Sequence, residues 1–164
     1  MLFNSFVFLL AFLPPALILH GLVARAAPAW RLPLLVGLSF VFYGWWDVRF
    51  VPLLAGSILA NWCVARLYRR WPGRWLIPGA IAANLALLGL FKYLAFFADL
   101  ANLIPGLEAP RLELALPLGI SFFTFHHIMY LADLRAGRAP GFGLVKYALY
   151  IAFFPQVLAG PLVR

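Results

Sequence analysis

The stretch Pro117-Leu-Gly-Ile-Ser-Phe-Phe-Thr-Phe-His-His-Ile-Met-Tyr-Leu-Ala-Asp133 decides how the chain is read. It is apolar enough for a bilayer, yet it carries two adjacent histidines, two hydroxyl residues, a tyrosine and a closing acid. Lipid tolerates such groups only where protein or a water-filled cavity covers them. The segment is therefore expected to turn its polar side chains inward, with other apolar segments packed around it. Pro117 and Gly119 interrupt its start, which predicts a broken or re-entrant beginning rather than a clean span.

The rest of the chain supplies those partners. The sequence is 65% hydrophobic and 11% charged, against roughly half apolar and about a quarter charged in an ordinary soluble domain. The excess comes in six blocks, near 6–23, 32–46, 50–64, 75–97, 114–132 and 142–163. The expected fold class is all-α, a polytopic transmembrane helix bundle with interrupted or re-entrant helices, embedded in a lipid bilayer.

The first block lacks the basic residues that precede the apolar core of a signal peptide, so it is read as a retained helix. Pro14 and Pro15 should kink it, and His20 near its end reads as interfacial. The second block closes on Tyr43-Gly-Trp-Trp46, an aromatic belt that places Tyr43, Trp45 and Trp46 at headgroup level. In the third, Ala55, Gly56, Ser57 and Ala60 allow close helix approach, while Asn61 needs a partner. In the fourth, Lys92 lies near the far interface and snorkels, and Asn84 is expected to bond to a neighbouring helix. Cys63 is the single cysteine and reads as a structural thiol.

Charge orients the segments. The formal net charge is +8, but the arginines sit between apolar blocks, so they set topology rather than bind nucleic acid. Arg25 and Arg31, then Arg66, Arg69, Arg70 and Arg74, then Arg135 and Arg138 fall in the first, third and fifth connections. Arg49 and Arg111 alone fall in the second and fourth. Cytoplasmic loops hold the excess, which puts the amino terminus outward.

Chemistry is harder to read. His126 and His127 point about 100° apart on a helix, and no third ligand stands at metal-binding spacing, so no metal site is expected. One of them can serve as a general base, though a packed, hydrogen-bonded imidazole is the commoner use. Ser121 and Thr124 can bond back to helix carbonyls, and Asp133 either orients a histidine or ends the helix. No phosphate loop, nucleophile elbow or carboxylate pair is present. A transporter or lipid-handling protein without chemistry of its own also fits kinked and interrupted helices. A purely structural membrane subunit leaves the polar groups from Ser121 to His127 without a purpose.

Two patterns carry a family resemblance. Pro117-Leu-Gly-Ile-Ser-Phe-Phe-Thr-Phe125 followed by Tyr130-Leu-Ala-Asp133 resembles a signature of membrane-bound O-acyltransferases, in the branch of alginate O-acetyltransferase membrane components and D-alanyl transfer proteins. Phe153-Phe-Pro-Gln-Val-Leu-Ala-Gly-Pro-Leu-Val-Arg164 resembles that branch's second signature. Weaker matches are Met1-Leu-Phe-Asn-Ser with Phe12-Leu-Pro14, Phe42-Tyr-Gly-Trp-Trp46 and Gly89-Leu-Phe-Lys-Tyr93.

The resemblance implies transfer of an acyl group, as acetyl, from a cytoplasmic donor to hydroxyls of an exported polysaccharide such as alginate. The donor would be acetyl-coenzyme A or a carrier-linked acyl group acting as co-substrate, with no bound cofactor. It implies the bacterial inner membrane and a periplasmic or extracellular partner protein that completes acetylation. The family's catalytic histidine is expected beyond Arg164, so residues 1–164 read as the amino-terminal part of one acyltransferase domain, inactive alone. His126 and His127 are only weak catalytic candidates. Ser121, Thr124, His126, His127, Tyr130 and Gln156 are expected to line the tunnel.

Overall fold

The computed structural model describes residues 7–101, 117 and 119–153, with side chains described within 10–93, 117 and 119–153. All regular structure among these residues is helical. A π-turn over Val7–Phe12 leads into α1, Leu13–Ala26, and a 3₁₀ turn over Pro28–Trp30 leads into α2, Arg31–Trp46. A second 3₁₀ turn, Val48–Phe50, leads into α3, Val51–Arg70. Then follow α4, Leu76–Ala101, α5, Ile120–Arg135, and α6, Leu144–Ala152. Two helical stretches, Val48–Arg70 and Leu76–Tyr93, are long and apolar enough to cross a membrane.

Several boundaries differ from the block edges, each for a physical reason. Pro14 and Pro15 fall in the first turn of α1 rather than in a helix middle. Proline lacks a donor there at little cost, and the irregularity is taken up by the π-turn before it. α3 runs past Val64 to Arg70, because arginine is a good helix former and its charge complements the carbonyl end of the helix. Arg66, Arg69 and Arg70 are thus helical, and the basic connection shrinks to Trp71–Trp75. Among the described residues α5 runs from Ile120 to Arg135, so Asp133 and Arg135 lie in its last turn; positions 114–116 and 118 of the fifth block lie outside the described residues. The sixth block is helical over Leu144–Ala152, and its remainder beyond Phe153 lies outside the described residues.

The described residues form two compact units, 7–62 with 141–153, and 63–140; the chain passes from one to the other inside α3. In the first, α2 packs against α1 and α6. Phe42, Tyr43, Leu54, Ile58, Tyr147 and Ile151 make its core. Tyr147, Ala148, Ile151 and Ala152 recur at one-and-four spacing, which gives α6 a single apolar face. The indole of Trp62 donates to the Phe142 carbonyl at 3.2 Å and fixes the start of that helix.

The turn between α2 and α3 is tied by one acid. Asp47 accepts the Arg49 backbone N–H at 2.9 Å and its guanidinium at 3.0–3.2 Å. Those guanidinium hydrogen bonds, then the backbone one, hold the Asp47 carboxyl below the usual carboxylate range. The folded value lies below the unfolded one, so this contribution is present above the unfolded pKa and fades as pH falls through the lowered one. The belt residues divide here: Trp45 and Trp46 are exposed, while Tyr43 is only 3% exposed. Tyr43 is therefore a core residue, not a headgroup anchor.

In the second unit α4 packs against α5. Asn84 of α4 donates to the Ala80 carbonyl one turn back, at 2.8 Å, and Asn61 of α3 does the same to Ser57 at 2.9 Å. Cys63 is exposed. Lys92 is exposed, its ammonium 5.6 Å from the Tyr93 ring centre.

α5 is bracketed by two left-handed glycines, Gly119 at φ 68° before it and Gly137 at φ 71° after it. The Gly119 carbonyl accepts the Phe123 N–H at 2.9 Å, so the helix starts abruptly there. A side chain at this φ is strained by about 1–2 kcal/mol. Gly119→Val is expected to lower unfolding free energy by that amount, read from the helical circular dichroism during denaturation in mild detergent. Gly119→Asn should recover part of the loss, because asparagine tolerates this region. Equal stability of all three would refute the strain argument.

Candidate functional site on α5

Seven residues of α5 form one buried stripe: Ile120, Phe123, Thr124, His127, Tyr130, Leu131 and Leu134. Their spacing of three, one, three, three, one and three is that of a single helix face. The polar members Thr124, His127 and Tyr130 thus lie on the inward side, spread along roughly 9 Å of helix axis. His127 is 0% exposed and Thr124 1%. His126 borders the stripe at 3% exposure, Ser121 is half-buried, and Phe125 on the opposite side is 45% exposed.

The two imidazoles are held differently. His126 sits with Nδ1 2.9 Å from the Phe122 carbonyl, one turn back. Its ring lies 4.2 Å from that of Phe122. His127 meets Phe123 edge-on at 6.3 Å. Tyr130 donates its hydroxyl to the Pro140 carbonyl at 3.2 Å, which ties the end of α5 to the following connection.

Asp133 orients neither histidine. Its carboxylate accepts two hydrogen bonds from the Arg138 guanidinium, at 2.9 and 3.2 Å, in an exposed ion pair. Its carbonyl receives the Arg138 and Ala139 backbone N–H groups. Asp133 therefore secures the exit from α5. No group of three histidine, cysteine, aspartate or glutamate side chains able to hold a metal occurs among the described residues.

The structure brings Thr124, His126, His127 and Tyr130 together on or beside one buried face, with Ser121 at its margin. Gln156 lies outside the described residues. The arrangement offers hydroxyl and imidazole groups on an apolar surface, with no carboxylate among the described residues to drive a histidine as a strong base. A separate cleft of about 450 Å³, between α2 and α6, is lined by Leu32, Leu35, Phe142, Lys146, Leu149, Tyr150 and Phe153. None of the α5 polar residues reaches it.

Sequence reasoning missed Tyr43, whose buried hydroxyl has no hydrogen-bond partner among the described residues. The signal was available: Ser39, Phe42 and Tyr43, at helical spacing, are the buried residues of α2. The neighbouring tryptophans drew Tyr43 into their belt.

No family model matches the chain, and no solved structure matches it. Curated proteins do. Over its whole length the chain is 40% identical to the "Probable alginate O-acetylase" of Pseudomonas putida and 39% identical to the protein of that name from Pseudomonas aeruginosa. It is 38% identical to the "Peptidoglycan O-acetyltransferase" of Helicobacter pylori. These alignments cover 35%, 33% and 37% of the relatives, so the chain spans about a third of their length. Similarity at this level along all 164 residues, with the α5 and α2 motifs inside it, makes the chain membrane-bound O-acyltransferase-like over the third of these O-acetylases that it spans.

Proposed function

We propose that the whole protein transfers an acyl group, as acetyl, from a cytoplasmic donor to hydroxyls of an exported polysaccharide such as alginate. In this reading residues 1–164 belong to a helix bundle that crosses the bacterial inner membrane several times with its amino terminus outward. The acyl donor is acetyl-coenzyme A or an acyl carrier, and a periplasmic or extracellular partner protein completes delivery to the polymer. The observation that carries the reading is whole-chain identity of 38–40% to two differently named classes of polysaccharide O-acetylase. The arginines gathered in and beside the odd-numbered connections, most of them on the adjoining helix ends, support the orientation, and the two long apolar helices support the location.

The buried face of α5 then forms part of the wall of the passage along which acyl and hydroxyl groups meet. Thr124, His127 and Tyr130 supply polar contacts within an otherwise apolar lining. In this reading the general base is the family histidine expected beyond Arg164, and His126, held through Nδ1 to its own helix, and His127 help to shape the wall.

The test is transfer of labelled acetyl groups to polymer by membranes carrying the whole protein. Incorporation into ester linkages is expected. Polymer or lipid moved across the membrane without acylation would replace this reading with a transporter. In the same assay His126→Gln and His127→Gln should each keep the rate within about tenfold, since loss of a true general base costs about 10²–10⁴-fold. A loss of two or more orders of magnitude in either variant would assign it the catalytic role.

A further inference from the structure

The turns before and after α3 each carry or adjoin a pair of exposed tryptophans, but their charges differ. Before α3, Trp45 and Trp46 close α2 next to a turn whose arginine is neutralised: Arg49 is held by both oxygens of Asp47. At its carboxyl end the turn Trp71–Trp75 carries Trp71 at 66% exposure and Trp75 at 74%. The Arg70 guanidinium lies 5.6 Å from the Trp71 ring centre, and that of Arg74 lies 5.4 Å from Trp75. No carboxylate pairs with Arg69, Arg70 or Arg74 among the described residues, and the sequence holds no acid between Asp47 and Asp99.

Helix-end electrostatics explain only part of this. Arg69 and Arg70 complement the carbonyl end of α3, but Arg74 lies beyond the helix and gains nothing from it. Nor does that account for two indoles held open to the surroundings. Tryptophan prefers the headgroup layer of a bilayer. Arginine stacked on an indole keeps its outer N–H groups free for a phosphate, which it can grip through two hydrogen bonds. The turn also joins the two stretches long and apolar enough to span a membrane.

We propose that the α3–α4 turn is a binding site for anionic phospholipid headgroups, with Arg69, Arg70 and Arg74 on the phosphates and Trp71 and Trp75 seated at the level of the glycerol backbone. The proposal rests on the membrane reading given above. It goes beyond orientation, because it makes this end of α3 select among lipids while the Asp47–Arg49 end does not.

The experiment uses the full 164-residue chain reconstituted in phosphatidylcholine vesicles with trace spin-labelled phosphatidylglycerol or phosphatidylcholine. Its readout is the ratio of the two lipids immobilised by protein. A preference of about tenfold for phosphatidylglycerol is expected at low ionic strength, given three uncompensated arginines near the surface. It should decline towards one at molar salt. The R69Q/R70Q/R74Q variant should bring the ratio close to one, and the corresponding lysine variant should keep most of it. Arg49→Gln should leave it unchanged, since Asp47 already neutralises that charge. Wild-type chain incorporated with a ratio of one overturns the lipid site alone, as does a high ratio surviving in the glutamine variant. A ratio of one together with retention on an oligonucleotide column would assign the cluster to a polyanion instead. Failure to float with either vesicle overturns the membrane reading and the lipid site together. The salt titration of the wild-type chain decides the matter even if a variant does not fold.

Discussion

Leu131→Asp is expected to destroy the native packing of α5. Leu131 is 0% exposed and sits in the buried stripe between Tyr130 and Leu134. The stripe holds no lysine or arginine, and its one imidazole, His127, would have to take a proton while fully buried to pair with the new carboxylate, so the carboxylate would be left uncompensated or forced to take up a proton. Burying an unpaired charge is among the few single changes that cost more than about 4 kcal/mol. The whole stability of a domain this size is about 5–15 kcal/mol. Thermal or denaturant unfolding in mild detergent should show a collapse of the cooperative transition, with wild-type behaviour retained by Leu131→Met, which keeps volume and costs less than about 1.5 kcal/mol. An aspartate variant as stable as wild type would mean that this face of α5 is open to solvent. The polar side chains beside it would then have no claim to line an enclosed passage.

That stripe explains what the sequence did and did not reveal. Along 120–135 the outward residues Phe122, Phe125, Ile128 and Met129 are as apolar as the buried ones, so hydrophobic periodicity is silent about which side faces in. The polar residues carried the signal instead. Thr124, His127 and Tyr130 are misplaced in an apolar run unless they share a covered face, and they do. The limits of α5 were less legible, because Pro117 and Gly119 mark an interruption without saying where the helix resumes. The answer came from one backbone angle, the left-handed Gly119.

Elsewhere composition misled in a consistent way. The third apolar block spans 50–64 and charge begins at Arg66, yet the helix continues through those arginines to Arg70. Charge marks where an apolar environment stops, not where hydrogen bonding along the backbone stops. Asp133 fits two roles by sequence, and the deciding partner, Arg138, stands five residues away across a turn that spacing does not resolve. Tyr43 was assigned by its neighbours rather than by its own register on α2. The reaction itself was never legible in these residues. It came from motif order and from relatives three times as long as this chain.

The placement in a membrane has its own decisive substitution, Leu85→Arg. Leu85 lies midway along the Leu76–Tyr93 stretch and is 48% exposed. Only 11% of that stretch is buried, so Leu85 meets water or lipid unless a further part of the whole protein covers it. The two surroundings predict opposite outcomes. In water an exposed leucine replaced by arginine shifts stability by no more than about 0.5 kcal/mol, and solubility would improve. In a bilayer the same arginine sits near the centre of an apolar span about 27 Å long and costs about 2.5–3.5 kcal/mol of insertion free energy. That is a roughly hundredfold drop in the equilibrium for integration. Arginine at Tyr93 should be far milder, because it can reach the interface alongside Lys92. The fraction of chain resisting alkaline extraction from membranes measures the difference. Loss at position 85 with retention at position 93 requires a hydrocarbon layer around the middle of α4. Equal retention in both variants would leave the leucines of α4 facing water, and the exposed apolar surface of this chain would then need a protein partner rather than a membrane to cover it.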